Sequence, residues 1–252
     1  MEEEYLKLLI DLHKNGKRQG PGGDEEANKM IELAGLKQNE RLKIADIGCG
    51  TGVASIFLAN QLNANITAVD FLPEFIDVLE QTTKSEGLSN NIKTLVCSMN
   101  SLPFDDEEYD VLWSEGAIYN IGFERGVNEW KRFLKQDGLL ILSEITWLTE
   151  DRPAEIQNHW DSEYPEIDTA SAKIRVLEKA GYSPIAYFVL PKNCWLDNYY
   201  RPMQKRFSDL LERHGNSQSA QSVVEAEKKE IDLYERYKKY FSYGVYIAKK
   251  VR

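Results

Sequence analysis

The sequence predicts an α/β fold in which a mostly parallel sheet carries helices on both faces. Three observations predict it. Short apolar runs of strand length alternate with helix-period segments between Arg41 and Ser143, the pattern of repeated strand–helix–strand units. The first run, Leu42 to Ile47, ends in the turn Gly48-Cys49-Gly50-Thr51-Gly52. The second run ends in an acid, Asp70, 18 positions after Gly52.

Apolar positions Tyr5, Leu8, Leu9 and Leu12 have helical spacing over residues 2–14. Asn15-Gly16 stops that helix, and Gln19-Gly20-Pro21-Gly22-Gly23 forbids a regular element. Glycines permit hinge motion there, so this loop is expected to act as a lid, with Arg18 closing over a ligand. Asp24 is expected to cap a helix running to about Ala34. Helices are then predicted over Val53–Asn60, from Pro73 to about Ser85, and over Gly126–Leu134. Strands are predicted at Ile66–Val69, Ile92–Cys97, Tyr109–Trp113 and Leu139–Ser143.

Beyond Trp147 the order loosens. Helices are expected over 152–163, opening at Pro153, and over 170–180, ended by Gly181. A sixth strand is read at Ile185–Leu190 and a final one at Tyr243–Ala248. Between them, 197–213 and 219–240 are long, polar and helical, too long for a plain connection. They are expected to cover the working edge of the sheet; packing elsewhere, or a homodimer contact, is the alternative. The domain reading is residues 1–36 as N-terminal helices with a Gly-rich lid, and 37–252 as one domain with helical insertions at about 150–165 and 195–240.

The chain of 252 residues carries a net charge of −10, which argues against a nucleic-acid partner. Cys49, Cys97 and Cys194 are odd in number and widely spaced, so neither a disulfide framework nor a metal site is expected. No apolar run is long enough to span a membrane, and the acidic start Met1-Glu2-Glu3-Glu4 is unlike a signal peptide. A cytoplasmic location is the expectation.

The turn says more. In open α/β sheets ligands bind beyond the carboxyl ends of strands. Glycines let the backbone approach a ligand, and the helix start behind them offers free N–H groups. The spacing is G-x-G-x-G at 48, 50 and 52; a dinucleotide fingerprint would place glycine at 53, where the residue is Val53. That counts against a nicotinamide-dependent oxidoreductase. An acid at the end of the second strand suits the ribose hydroxyls of a nucleoside.

The segments ADIGCGTG, then AVD, then SMNSLPFDDEEYDVLWSEGAIYNI resemble the class I methyltransferase family, nearest to the small-molecule group that includes the ubiquinone and menaquinone biosynthesis type. The resemblance covers about residues 40–150. It implies a Rossmann-like seven-stranded sheet with an antiparallel last strand, an added helical cap, and S-adenosylmethionine as cofactor. It also implies roles along the cofactor. Asp46 would support the loop and the amino group. Gly48 and Gly50, with Thr51 and Gly52 in the same turn, would pack against the methionine and ribose portions. Asp70 would hold the ribose hydroxyls and Phe71 would lie against the adenine. Ser98, Met99 and Asn100 would flank the other side of the adenine, and Glu115 would bind the methionine ammonium.

Methyl transfer from a sulfonium needs alignment of the acceptor and exclusion of water, and a base only for some acceptors. Glu144, at the carboxyl end of the fifth strand, His159 and Tyr119 are the candidate catalytic residues. His13 and His214 fall in terminal or outer helices. Trp147, Trp160, Trp195, Tyr199 and Tyr200 could line an apolar acceptor pocket or form the core of the cap. The expected activity is methyl transfer to a small-molecule acceptor; a non-catalytic S-adenosylmethionine-binding protein, or a methyltransferase acting on protein, is the alternative.

Overall fold

A computed structural model describes residues 2–251. Helices α1 (Glu2–His13) and α2 (Asp24–Ala34) precede β1 (Leu42–Ile47), α3 (Val53–Gln61), β2 (Ala64–Asp70), α4 (Pro73–Ser85), β3 (Ile92–Val96) and β4 (Tyr109–Glu115). Then come α5 (Phe123–Trp130), β5 (Leu134–Trp147), α6 (Ala154–Glu163), β6 (Asp168–Thr169), α7 (Ala170–Lys179) and β7 (Tyr182–Val189). The chain closes through α8 (Lys192–Trp195), a π turn at Leu196–Tyr200, α9 (Arg201–Gln204), α10 (Phe207–Arg213), α11 (Gln218–Tyr237) and β8 (Phe241–Lys250).

The sheet runs β3-β2-β1-β4-β5-β8-β7, with two-residue β6 paired to the end of β5. The β1–β2, β2–β3, β1–β4 and β4–β5 pairs are parallel, and β8 is antiparallel to both neighbours. Strand order therefore reverses at β1 and β4, whose carboxyl ends open a crevice.

Side chains alternate between two cores. Ile44, Val111, Trp113, Ile141 and Ile145 face one; Ala45, Leu112, Leu140 and Leu142 face the other. With both faces covered, these strands read as near-continuous apolar runs. Each fully buried Leu, Ile or Val contributes about 1.5–3 kcal/mol relative to exposure.

Three of the later strands depart from their sequence bounds. β5 starts at Leu134, five residues early, because the chain passes through the polar stretch 135–137 with Asp137 at φ 62° before the register with β4 resumes at Leu139. Likewise β8 extends to Phe241 and Lys250 and β7 begins at Tyr182. Gly23, rather than Asp24, occupies the N-cap position of α2, and Asp24 instead pairs with Lys17 and Arg18. The stretch read as one helix over 197–213 is broken into short pieces; the π turn widens the helix so that neighbours Tyr199 and Tyr200 are both buried.

These last helices clasp the first. Arg213 donates from Nε and Nη2 to Asp11 Oδ2 at 3.0 and 2.8 Å, and Arg206 Nε donates to the Leu12 carbonyl at 3.0 Å. Helix α1 packs against α10 and α11, and its other side faces the crevice.

Candidate functional site

A cavity of about 590 Å³ opens at the carboxyl ends of β1, β2 and β4, within the range of roughly 300–1,000 Å³ usual for small-molecule sites. The glycine turn forms its floor. Gly48 sits at φ 78°, and a Cβ there would lie 2.4 Å from the Ala117 Cβ. Only glycine tolerates both conditions. Gly52, at φ 86°, is pressed against Leu79 of α4 in the same way.

Three carboxylates surround this floor. Asp46 is 1% exposed and accepts from Ser55 Oγ at 2.6 Å. Burial pushes its carboxyl up to about 7, with Glu115 and Asp70 adding to the rise and Ser55 opposing it. Asp70 accepts from the Gly50 N–H and the Leu72 N–H, each at 3.0 Å. Burial raises its pKa against those backbone donors. Both of its oxygens are thereby fixed, and each keeps acceptor capacity for a ligand hydroxyl. Glu115 accepts from Trp113 Nε1 and from Arg18 Nη1, both at 3.0 Å.

Of the residues expected to hold the cofactor, Asp46, Gly48, Gly50, Asp70, Phe71, Ser98, Met99, Asn100, Glu115 and Arg18 all line the cavity. Thr51 and Gly52 do not; they shape the turn from beneath. The Thr51 N–H and hydroxyl both donate to Gln19 Oε1, at 3.0 and 3.1 Å. Phe71 is 58% exposed, so its ring stands free at the rim.

The catalytic candidates divide. Tyr119 lines the cavity. Glu144 does not: it is fully buried behind the wall, 3.4 Å from Lys173 Nζ, with Oε2 lacking a hydrogen-bond partner. Burial pushes its carboxyl up to about 7, and Lys173 opposes that rise. The inward alternation of β5 turns this side chain away from the expected acceptor position. His159 is also not brought to the cavity; it lies on α6 with its ring edge-on to Trp160 at 5.2 Å. Trp195 and Tyr200 are core residues rather than pocket wall.

Sequence reasoning missed the cover. Leu6, Leu9, Ile10 and His13 of α1 line the cavity, although a terminal helix reads as peripheral. The spacing of α1 reveals an apolar face but not what that face covers. The loop expected to be a lid is fastened down: Gln19 holds Thr51, Arg18 pairs with Glu115 and Asp24, and Asn198 Nδ2 donates to the Gly22 carbonyl at 2.8 Å. Gln19 carries no sequence signal, since its partner Thr51 is 32 residues away.

Residues 44–138 match a methyltransferase domain family. That segment runs from β1 into β5 and holds the glycine turn, Asp70 and Glu115. A methyltransferase of Streptomyces halstedii, GfsG, is 26% identical over 154 residues, covering 57% of this chain and 55% of that one. The ubiquinone/menaquinone biosynthesis C-methyltransferase UbiE of Citrifermentans bemidjiense is 29% identical over 119 residues, covering 46% and 50%. The chain spans about half the length of the curated relatives it matches. A solved S-adenosylmethionine-dependent methyltransferase of Geobacter sulfurreducens, in complex with S-adenosylhomocysteine, superposes with a TM-score of 0.82 over 96% of this chain and 97% of its own, at 14% identity. That likeness shows the fold. The match begins after α1 and the loop that cover the cavity and ends before α10 and α11, so these segments lie outside it.

Proposed function

We propose that this methyltransferase binds S-adenosylmethionine in the crevice at β1, β2 and β4 and transfers its methyl group to a small-molecule acceptor by direct displacement. The observation that carries the reading is the set of three carboxylates, Asp46, Asp70 and Glu115, around one cavity whose arginine is already ion-paired. Such a donor set suits a ligand bearing fixed positive charge and vicinal hydroxyls. When bound, S-adenosylmethionine supplies a methyl on a sulfonium, which passes to an acceptor lone pair as the C–S electron pair returns to sulfur.

The chain's own residues do the rest. Asp70, held by two backbone N–H groups, receives the ribose hydroxyls. Glu115 and Asp46 receive the ammonium end, and Phe71 and Met99 flank the adenine. The Arg18 guanidinium stands close enough to the same end to meet a carboxylate. Helix α1 and the strapped loop exclude water from the reacting centre. The enclosed cavity favours a small acceptor over a folded protein. Among the described residues no helix is long and apolar enough to cross a membrane, and Cys49, Cys97 and Cys194 are free thiols; a cytoplasmic location fits that chemistry. The described residues 2–36 serve in this reading as part of the cover rather than as an arm for a homodimer.

Titration calorimetry tests the reading. S-adenosylmethionine and S-adenosylhomocysteine should bind, and Asp70→Asn should weaken both by about tenfold or more through loss of charge-assisted hydrogen bonds. Binding of NAD in preference to either would overturn it.

A further inference from the structure

Helix α1 turns one stripe of side chains toward the cavity. Leu6, Leu9, Ile10 and His13 have the i, i+3, i+4, i+7 spacing that puts side chains on one helix face, and all four line the cavity. His13 is the one polar member of the stripe. Among the described residues lining the cavity it is also the only histidine. A polar ring in an otherwise apolar row costs desolvation unless its nitrogens are used.

The two ring nitrogens are in different situations. Nε2 lies 3.6 Å from Oε1 of Glu227 on α11, a residue only 8% exposed. A carboxylate beside Nε2 places the ring proton there and leaves the lone pair on Nδ1. Nδ1 is buried and, among the described residues, has no hydrogen-bond partner. The ring stacks on Tyr199, with planes at 19° and centroids 6.1 Å apart. The helix end that carries it is tied down, because Gln19 Nε2 donates to the His13 carbonyl at 3.1 Å and Arg206 Nε donates to the Leu12 carbonyl at 3.0 Å. Glu230 of α11 also bears on the ring, and Arg206 is taken up by the Leu12 and Pro202 carbonyls. An imidazole with a carboxylate behind one nitrogen and an unused lone pair on the other is arranged as a general base.

The donor reading assigns the glycine turn, Asp46, Asp70 and Glu115 to the cofactor. The rest of the wall is largely apolar: Leu6, Leu9, Ile10, Ile121 and the half-exposed ring of Tyr119. We propose that this end of the cavity receives a planar aromatic acceptor bearing a neutral hydroxyl, a phenol, and that His13 is the catalytic residue that takes its proton on Nδ1, with Glu227 as the positioning residue. The proposal rests on the reading of the cleft as the methyl-donor site. A carboxylic acid arrives already ionised and needs no base, and an aliphatic alcohol is too weak an acid for an imidazole. A phenol lies between them, and its ring suits the apolar wall. The phenolic O–H bond breaks, the proton goes to Nδ1, and the pair left on oxygen forms the C–O bond to the methyl. The C–S pair returns to sulfur. The positive charge of the sulfonium ends on the imidazolium, between Glu227 and the carbonyl end of α1.

Methyl transfer by the full chain to 4-methoxyphenol, catechol and 1-naphthol tests this, read as S-adenosylhomocysteine and methyl ether formed. At least one of the three should be methylated. With that phenol, His13→Gln should lower kcat by about 100-fold near neutral pH. The gap should close as pH rises and the phenol ionises unaided, whereas a purely structural role gives a loss that does not change with pH. Glu227→Gln should show the same pattern with a smaller loss, about tenfold. Circular dichroism melting at both ends of the pH range establishes that the variants are folded, and Glu227→Gln carries the test should His13→Gln not fold. No methyl ether from any of the three phenols while S-adenosylhomocysteine binds, or a pH-independent loss in a folded variant, overturns the proposal. Failure of wild-type protein to bind S-adenosylhomocysteine in calorimetry overturns the donor-site reading instead.

Discussion

Asp46 shows how one residue can be legible by identity while its behaviour is not. It stands at the end of the first strand, where the sequence motif places it. Its high pKa comes from complete burial, against the hydrogen bond from Ser55 nine residues on and with reinforcement from Glu115 of another strand. The consequence is a pH dependence with a definite sign. The carboxyl rises from an ordinary value of 3.8 to about 7 in the fold. Between those values the folded chain holds more protons than the unfolded one, so stability falls as pH rises through that window. Summed across the window, the loss is on the order of 4 kcal/mol. Asp46→Asn removes this titration. Its melting temperature relative to wild type should climb as pH is raised from about 4 to about 7 and level off above. Parallel melting curves for the two proteins across that range would count against a neutral Asp46 in the fold.

At the scale of elements, what the sequence shows depends on whether an element's partner is near or far. Strands buried on both faces announce themselves as apolar runs; β1 and α4 have the bounds their residues predict because Pro73 and the glycine turn mark local starts and stops. The strand ends at β5 and β8 are set by pairing with each other, as in Leu139 opposite Lys249 and Trp147 opposite Phe241, and no local signal encodes that. The same holds for Gln19 and for the wall built by α1. The aromatic residues after Trp147 are compatible in sequence with a pocket wall or a core, and packing divides them. Trp195 stacks on Tyr234 at 4.4 Å between ring centroids and donates from Nε1 to Ser242 Oγ at 3.0 Å, joining α8, α11 and β8. Trp195→Ala should therefore cost about 3–5 kcal/mol in urea denaturation, the amount usual for a large buried aromatic. A cost below about 1 kcal/mol would place this side chain outside the core of the cap.

For the whole molecule, the decisive feature is that the cavity is closed by segments from opposite ends of the chain. Helix α1 lies over the glycine turn, α10 and α11 hold α1 through Asp11 and the packing of their faces, and the loop carrying Arg18 and Gln19 is pinned to β4 and to the turn. A ligand that touches all of these at once should couple them. Binding only to the native state stabilises it by about 2.7 kcal/mol at a ligand concentration of roughly 100 times Kd, which for a chain of this length raises Tm by roughly 5–10 °C. S-adenosylhomocysteine should produce that shift. Amide hydrogen exchange should also slow in α1 and in residues 16–23, not only around Gly48 to Gly52, because opening the cover then requires losing the ligand. Protection confined to the turn would mean that the cover and the cofactor site open independently, and that α1 belongs to the acceptor's path rather than to the cofactor's enclosure.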